Sequence, residues 1–271
     1  MKVTAMTDSR ANITRLADRI RLRALEMVAP LGFGYLGQAL SSAELIASLY
    51  AGPYRHGTDR LVCSPGHYVV AFYAAAAEAG RLDEDRLARY GLDDSDLEAI
   101  GTERSPEMDL TGGSLGQGLS GAVGFAVSAR MKGDTESRVF ALVSDGEMEE
   151  GQLWEAAMFA SHHGLDNLIV LLDANDSQVD GPVTSVTTIE PIAAKWESFG
   201  WAAYEVDGHD PDAISEALER AMEADRPAVV IGRTSTRRGL DCLPQDADGH
   251  FIKLPPELAE RARRELEGRL A

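Results

Sequence analysis

Two segments of the sequence place an acid or an amide side chain directly after an apolar run. Asp145 follows the first run in SDGEMEEG (144–151), and Asn175, thirty residues later, follows the second in LLDANDSQVDG (171–181). A carboxylate and an amide oxygen from neighbouring strand ends, with a loop carbonyl nearby, suit a hard cation such as Mg²⁺. Gly146 leaves backbone N–H groups free to meet a phosphate where the next helix begins. Although each segment alone is an ordinary turn sequence, the pair predicts a site for Mg²⁺ and a phosphate.

A glycine-rich segment and two histidines are further candidates for binding. TGGSLGQG (111–118) stands before an apolar helix, and its glycines allow close approach to an anion or a ring, with close helix packing as the alternative. His67 follows the tripeptide SPG at a predicted strand end, which favours contact with a phosphate or a substrate. His250 lies in the polar segment DGHFIKLP, where the local sequence alone indicates a solvated loop residue.

Several common site motifs are absent or misplaced. GFGYLG (32–37) matches the dinucleotide pattern G-x-G-x-x-G, but a helix precedes it and the nearest suitable acid, Asp59, comes before an apolar run. We therefore exclude a Rossmann-type NAD site. No G-x-S-x-G elbow and no Walker A loop occur. The adjacent His162 and His163 point about 100° apart on a helix, so they are a poor metal-binding pair.

The elements that must position these residues alternate along the chain. Helical patterns separate apolar runs that predict buried strands at residues 59–64, 138–144, 167–173, 201–208 and 227–234. This order predicts an α/β fold, with a mostly parallel sheet and helices on both faces, formed by a single domain over residues 1–271. Because such sheets bind ligands at the carboxyl ends of their strands, the chemistry is expected in the loops that follow these strands.

Some helix boundaries are also predicted. Ser41 and Glu44 form an S-x-x-E capping box, which predicts that a helix begins at SSAELIASLY (41–50). The charged residues 82–100 predict a solvated helical excursion, and the tail at about 253–271 predicts an amphipathic helix that docks on a partner.

Charge and composition exclude several classes of function. The 271 residues include 26 Lys and Arg against 44 Asp and Glu, a net charge of −18, which argues against nucleic acid or an anionic membrane surface as partner. No apolar stretch approaches the ~18 residues of a membrane span, and the first residues lack the apolar core of a signal peptide. Two cysteines, without ligand spacing, fit a reducing compartment. We therefore expect a cytoplasmic protein.

Longer stretches around the candidate residues resemble one known family. Residues 144–181 resemble its GDG…N diphosphate motif, DRLVCSPGH (59–67) its strand and SKGH segment, and PEMDLTGGSLGQGLSGAVG (106–124) its TTGSLGQGLS segment. FGWAAYEVDGHDPDAI and RPAVVIGRTSTRRGL resemble later blocks, so the likeness covers nearly all of the chain. The sequence thus resembles the thiamine-diphosphate domain of transketolases, specifically the separate N-terminal subunit of the split form. The resemblance implies thiamine diphosphate and Mg²⁺ as cofactors.

Carried over residue by residue, the resemblance implies roles for particular positions. The Mg²⁺ ligands are Asp145, the side chain of Asn175 and the carbonyl of Ser177. The cofactor-binding residues are His67, Gly113, Ser114, Leu115, Asp145, Gly146, Glu147, Asn175 and His250. The catalytic residues are His67, His250 and Glu150, of which Glu150 matches an acid that links two active sites across the family's dimer. His250 lies eleven residues after Gly239, the spacing of a family histidine that contacts substrate and diphosphate.

Three departures from the family pattern concern the substrate more than the cofactor. Tyr35, in GYLGQALS (34–41), stands where the family has a substrate-contacting histidine. GTERS (101–105) lacks a His-Pro pair that would supply a second one, and DAN (173–175) replaces Asp-Asn-Asn. Cofactor residues are thus kept while sugar-contacting histidines are lost, which predicts thiamine chemistry on non-standard substrates.

The family's activity also requires a glutamate from a pyrimidine-binding domain. We therefore expect activity only with a C-terminal transketolase-like subunit that carries this domain, as a heterotetramer with two copies of each chain. The expected reaction transfers a two-carbon ketol unit from a ketose donor, phosphorylated or not, to an aldehyde or other acceptor. One alternative is a decarboxylating subunit that delivers the two-carbon unit to a lipoyl or carrier domain. Another is a non-catalytic assembly subunit, although such a role would not require Asp145, Asn175, Glu150 and His67.

Overall fold

A six-stranded parallel sheet forms the centre of the computed structural model, which describes residues 2–245 and 247–271. The strands along the chain are β1 (Phe33–Gly34), β2 (Arg60–Cys63), β3 (Leu110–Thr111), β4 (Val139–Ser144), β5 (Leu168–Ala174), β6 (Ala202–Asp207), β7 (Ala228–Arg233) and β8 (Ile252–Lys253). Their order across the sheet is β3-β2-β4-β5-β7-β6, and every neighbouring pair is parallel. The remaining two, β1 and β8, pair with each other as a separate antiparallel ribbon.

Helices cover both faces of the sheet. They are α1 (Lys2–Val28), α2 (Leu36–Ala51), α3 (Val69–Glu78), α4 (Glu84–Leu87), α5 (Gln117–Met131), α6 (Gly151–His162), α7 (Val183–Val186), α8 (Ile192–Ser198), α9 (Pro211–Met222) and α10 (Pro256–Leu270). Of the helices in the described part of the chain, none is both long and apolar enough to cross a membrane.

Two separate apolar cores fill the space between the sheet and its helices. The first includes Ile20, Leu45 and Phe72 and is formed by α1, α2, α3, α9 and α10 against one face of the sheet. The second includes Leu119 and Trp196 and is formed by α5, α6 and α8 against the other face. Because β4 and β5 are buried on both faces, every residue in them is apolar except at their carboxyl ends. The polar side chains are thereby confined to one edge of the sheet.

The predicted fold class is confirmed, and all five predicted strands form within a residue or two of their expected limits. Two helix predictions are wrong. The capping box does not open α2, which begins at Leu36, so that Ser41 and Glu44 lie buried inside the helix. Residues 82–100 are helical only in α4, because Gly91 and Asp94 adopt positive φ angles of 69° and 60°, which an α-helix does not accommodate.

The C-terminal helix α10 packs on α1 of the same chain. Its buried Leu266 belongs to the first core, and Arg263 Nη1 donates to Glu26 Oε1 at 3.0 Å. Arg269 Nε donates to the buried Asp18 at the same distance. One face of this predicted amphipathic helix is therefore used within the chain.

Candidate active site

The loops after β4 and β5 join at the carboxyl edge of the sheet. Ser144 and Asp173 are register partners at the ends of these strands. The backbone N–H of Asp145 donates to the Asp173 carbonyl at 3.2 Å, and the N–H of Asp176 donates to Asp145 Oδ2 at 2.6 Å. The structure therefore brings Asp145 and the segment containing Asn175 together, as their spacing predicted.

The Asp145 carboxylate is buried, and no basic side chain of the described residues pairs with it. Among the described residues, no basic side chain forms an ion pair with it or with the neighbouring Asp173. Burial, together with the nearby charge of Asp173, raises the pKa of Asp145 to about 7, although the N–H groups of Asp176 and Gly146 oppose this shift. Burial also raises the pKa of Asp173. A cation placed here would balance the otherwise uncompensated charge of Asp145.

The donor atoms around Asp145 suit Mg²⁺ rather than a soft metal. Asn175 Oδ1 faces the loop and accepts the N–H of Ser177 at 3.0 Å. Within the described residues, no group of three or more His, Cys, Asp or Glu side chains is arranged to hold a metal. A cation at this site would rely on one carboxylate and neutral oxygens, which is the usual arrangement when Mg²⁺ also binds a phosphate. A Cβ at Gly146 would lie 2.9 Å from Gln178 Oε1, so glycine keeps this corner open.

Glu147 connects the end of β2 to the glycine-rich segment. Its Oε1 accepts hydrogen bonds from Ser64 Oγ at 2.5 Å and from the Gly116 N–H at 2.7 Å. The side chain is fully buried, and this burial raises its pKa to about 7. A Cβ on Gly66 would lie 2.2 Å from the carbonyl oxygen of Gly112, so the two loops are in direct backbone contact. Through its two hydrogen bonds, Glu147 joins the segment after β2 to the glycine-rich segment.

The other residues predicted from the glycine-rich segment lie at the surface. Gly113 and Ser114 are exposed and Leu115 is half-buried, so their backbone is accessible to a ligand. Glu150 is exposed where α6 begins, and its Cβ would be 2.8 Å from a Cβ built on Gly116. The position fits contact with a second chain, and the predicted role of Glu150 between two active sites stays a prediction.

His67 and His250 lie side by side although 183 positions separate them in the sequence. Their ring centroids are 4.9 Å apart, and the Tyr35 ring lies 5.2 Å from His67 and 5.7 Å from His250. Burial lowers the pKa of His67 to about 3, with a further contribution from His250. Burial also lowers the pKa of His250, although Asp248 opposes this effect. Both imidazoles are therefore neutral at pH 7.

Close backbone packing carries His250 into the site. A Cβ on Gly37, in the first turn of α2, would lie only 1.8 Å from the carbonyl oxygen of Gly249. Gln38, the next residue of α2, places Nε2 3.0 Å from His250 Nδ1. The ribbon of β1 and β8 fixes the following residues, with Gly34 opposite Ile252. The local sequence indicated a solvated loop at His250, and only this long-range packing reveals its place beside His67.

A set of buried polar residues was not predicted as part of the site. Asp173 accepts hydrogen bonds from Ser41 Oγ at 2.5 Å, from Tyr68 Oη and Asn175 Nδ2 at 2.9 Å each, and from Thr234 Oγ1. Of these, Ser41 was interpreted as a helix cap, and Tyr68 was not singled out in the sequence. The sequence feature that could have predicted these residues is Asp173 itself, because an acid at the end of a fully apolar strand requires buried hydrogen-bond partners.

The fold and the site together define an α/β domain with acid and amide side chains at the carboxyl ends of parallel strands, where such sheets bind their ligands. The chain belongs to the transketolase family: residues 13–264 match the family described as "Transketolase, thiamine diphosphate binding domain". The segment that matches G-x-G-x-x-G (32–37) lies outside the six-stranded sheet, at β1 and the start of α2.

Two relatives are named as transketolase subunits, each with a particular sugar in its name. The 6-deoxy-6-sulfo-D-fructose transketolase subunit SqwG of a Clostridium species is 36% identical over 272 residues, covering 97% of this chain and 98% of the relative. An apulose-4-phosphate transketolase subunit from Actinobacillus succinogenes is 33% identical over 263 residues, covering 93% of this chain and 94% of the relative. The transketolase structure from Campylobacter jejuni superposes with a TM-score of 0.86 at 25% identity. The match covers 95% of this chain but only 43% of that longer one.

These likenesses confirm the predicted N-terminal transketolase subunit, the thiamine-diphosphate-dependent transferase class and the predicted fold class. They also confirm thiamine diphosphate as the cofactor of the domain.

Proposed function

We propose that this chain is the cofactor-anchoring subunit of a two-component transketolase with a non-standard substrate. Asp145, Asn175 Oδ1 and the carbonyl of Ser177 would hold Mg²⁺ beside the diphosphate of the cofactor. When bound, thiamine diphosphate supplies the carbon that accepts the two-carbon unit and passes it on. The observation that carries the proposal is the junction of the Asp145 and Asn175 loops by the 2.6 Å bond from Asp176 N–H to Asp145 Oδ2.

His67 and His250 serve in this proposal as neutral hydrogen-bonding groups. Burial keeps both uncharged at pH 7, because it lowers both pKa values. The Gln38 amide nitrogen faces His250 Nδ1, and since that nitrogen can only donate, Nδ1 is the acceptor and Nε2 carries the proton. His250 can then donate from Nε2 to a phosphate or substrate oxygen. His67, whose ring centroid lies 4.9 Å from that of His250, is a second neutral imidazole beside it.

The substrate-facing wall of the site is aromatic. Tyr35 packs edge-on to Phe251 at 5.2 Å between ring centroids, and Phe33, which is 52% exposed, packs on Phe251 at 5.4 Å. Because an aromatic wall offers fewer hydrogen bonds to sugar hydroxyls than a histidine does, we propose an altered donor or acceptor. The unusual sugars in the names of the two relatives support this proposal.

A partner subunit completes the proposed enzyme. The relatives are named as subunits, and Gly113, Ser114 and Glu150 are exposed beside the cofactor site. We propose that a C-terminal subunit with the pyrimidine-binding domain covers this region in a complex with two copies of each chain. The predicted docking of the C-terminal tail would then use the exposed face of α10. We place this assembly in the cytoplasm, since Cys63 and Cys242 are both unpaired.

The first test is calorimetric titration of thiamine diphosphate into this chain co-purified with its partner subunit. We expect binding with Mg²⁺ present and its loss without Mg²⁺. Asp145→Ala in the same complex removes the carboxylate ligand and should abolish the Mg²⁺-dependent signal. Absence of binding by the wild-type complex would refute the proposed cofactor role.

The altered-substrate part has a separate test. We expect the reconstituted pair to turn over xylulose 5-phosphate and ribose 5-phosphate far more slowly than ordinary transketolases do. Tyr35→His should raise that turnover, because it restores a hydrogen-bonding ring, while Tyr35→Phe should leave it low. Ordinary turnover by the wild-type pair would contradict the proposal without affecting the cofactor site.

A further inference from the structure

Asp173, the penultimate residue of β5, is a fully buried carboxylate, and both of its oxygens accept hydrogen bonds. Oδ2 accepts hydrogen bonds from Ser41, Tyr68 and Asn175, and Oδ1 accepts one from Thr234. Both oxygens of Asp173 are thus engaged by donors of this chain, and Oδ2 accepts three of the four hydrogen bonds.

The contact with Asn175 fixes which end of the amide faces the site. A carboxylate only accepts, so the amide nitrogen of Asn175 must point to Asp173, with Nδ2 2.9 Å from Oδ2. The same nitrogen lies 2.9 Å from Tyr68 Oη and 3.3 Å from Ser41 Oγ. The oxygen Oδ1 is thereby turned the other way, toward the loop and the N–H of Ser177. An amide turned around would present N–H groups to a cation and repel it.

We infer that Asp173 is a positioning residue for the Mg²⁺ site, which sets the polarity of the Asn175 amide so that its oxygen faces the metal. This inference rests on the proposed function, because it concerns the same cation. Residues that orient metal ligands typically contribute 10- to 100-fold to metal affinity.

Two substitutions separate orientation from charge. Asp173→Ala removes the acceptor, and we expect the apparent dissociation constant for Mg²⁺ to rise at least about tenfold. Asp173→Asn removes the charge but can keep an oxygen toward Asn175, because its amide nitrogen can donate to the Thr234 hydroxyl. We therefore expect Asp173→Asn to bind Mg²⁺ within about threefold of wild type.

A rescue variant and a stability control complete the design. Asn175→Asp in the Asp173→Ala background has oxygen at both ends of the side chain, so it should restore Mg²⁺ binding. Leu266→Ala, in α10 and remote from the site, controls for general destabilisation and should leave Mg²⁺ affinity unchanged. All variants are measured as the complex with the partner, by Mg²⁺ titration calorimetry with thiamine diphosphate present and by thermal unfolding.

The outcomes are distinct. Weak binding by Asp173→Ala, near-normal binding by Asp173→Asn and rescue by Asn175→Asp would support orientation. Equal weakening by both Asp173 variants would show that charge matters instead, and wild-type affinity in Asp173→Ala would show that neither does. Both results overturn the inference while the proposed function stands. Absence of Mg²⁺-dependent binding in the wild-type complex would overturn both.

Discussion

Gly37→Ala tests the packing that brings His250 to the active site. The added Cβ would lie 1.8 Å from the carbonyl oxygen of Gly249, 3.0 Å from its carbon and 3.2 Å from Thr236 Cβ. Since non-bonded atoms settle at about 3.5 Å or more, α2 and the segment at Gly249 must separate by roughly 1.7 Å. Both partners are backbone, so no side chain can rotate away to relieve the overlap.

The expected cost follows from two opposing effects. Overpacking of this kind destabilises by about 1–3 kcal/mol or more. Alanine in place of glycine within a helix increases the free energy of unfolding by up to about 1 kcal/mol. Gly124, in the middle of α5, has nothing within 4 Å of the position that a Cβ would take, so Gly124→Ala should receive the helix gain alone. We expect a net loss of about 2 kcal/mol for Gly37→Ala and a gain of up to about 1 kcal/mol for Gly124→Ala.

Thermal unfolding of the purified chain measures both effects. For a domain of this size, about 2 kcal/mol corresponds to a decrease in Tm of roughly 4–8 °C, and the control should unfold slightly later than wild type. Gly37→Ala should also weaken binding of Mg²⁺ and thiamine diphosphate in the complex, because it displaces His250. If Gly37→Ala were as stable as wild type and bound the cofactor equally well, the close contact between α2 and Gly249 would be refuted.

Three further predictions concern pH, packing and the metal. Burial lowers the pKa of His67 to about 3, so the native state resists its protonation, and stability should fall as pH drops from about 6.5 toward 3. In urea titrations, His67→Gln should lose less stability than wild type over this pH range. If the stability of both proteins fell equally with pH, the role assigned to His67 would be refuted. Leu266→Ala removes a fully buried side chain and should cost about 2–5 kcal/mol by the same method, whereas a cost below about 1 kcal/mol would indicate that α10 is not docked on α1. Mg²⁺ and thiamine diphosphate at about 100 times their Kd should stabilise the wild-type complex by about 2.7 kcal/mol. EDTA should remove this gain, and its persistence in EDTA would argue against a metal-dependent site.

Five of the eight described strands, and the junction of Asp145 with Asn175, were predictable because they depend on local patterns. The other three, β1, β3 and β8, are two residues long and were not predicted. A strand that is buried on both faces can be recognised in the sequence as a continuous apolar run. A polar residue at its carboxyl end must lie where the parallel strands of the sheet end. Two such runs on adjacent strands therefore place their polar ends together, as the bond between Asp176 and Asp145 shows.

The rest of the site depends on contacts between distant segments. Ser41 satisfied the pattern of a capping residue, yet the sequence could not show that its hydroxyl would meet Asp173, 132 residues away. His250 likewise gains its role from the contact of Gly37 with Gly249, which no local pattern encodes. The resemblance to a family predicted that His250 belongs to the site. Its partner Gln38, and the Asp173 partners Tyr68 and Thr234, could be identified only from the structure.

The ribbon of β1 and β8 has a consequence for biosynthesis. It joins Phe33 to Lys253, so the segment carrying Tyr35 emerges from the ribosome long before the strand that pairs with it. Contacts so distant along the chain form late, because the intervening loop must be closed first. The Asp145 and Asn175 loops can meet while the nascent chain is still growing. His250 cannot join Tyr35 and His67 until its own segment has been synthesised. Tight retention of the cofactor would therefore mark chains whose translation has passed residue 253.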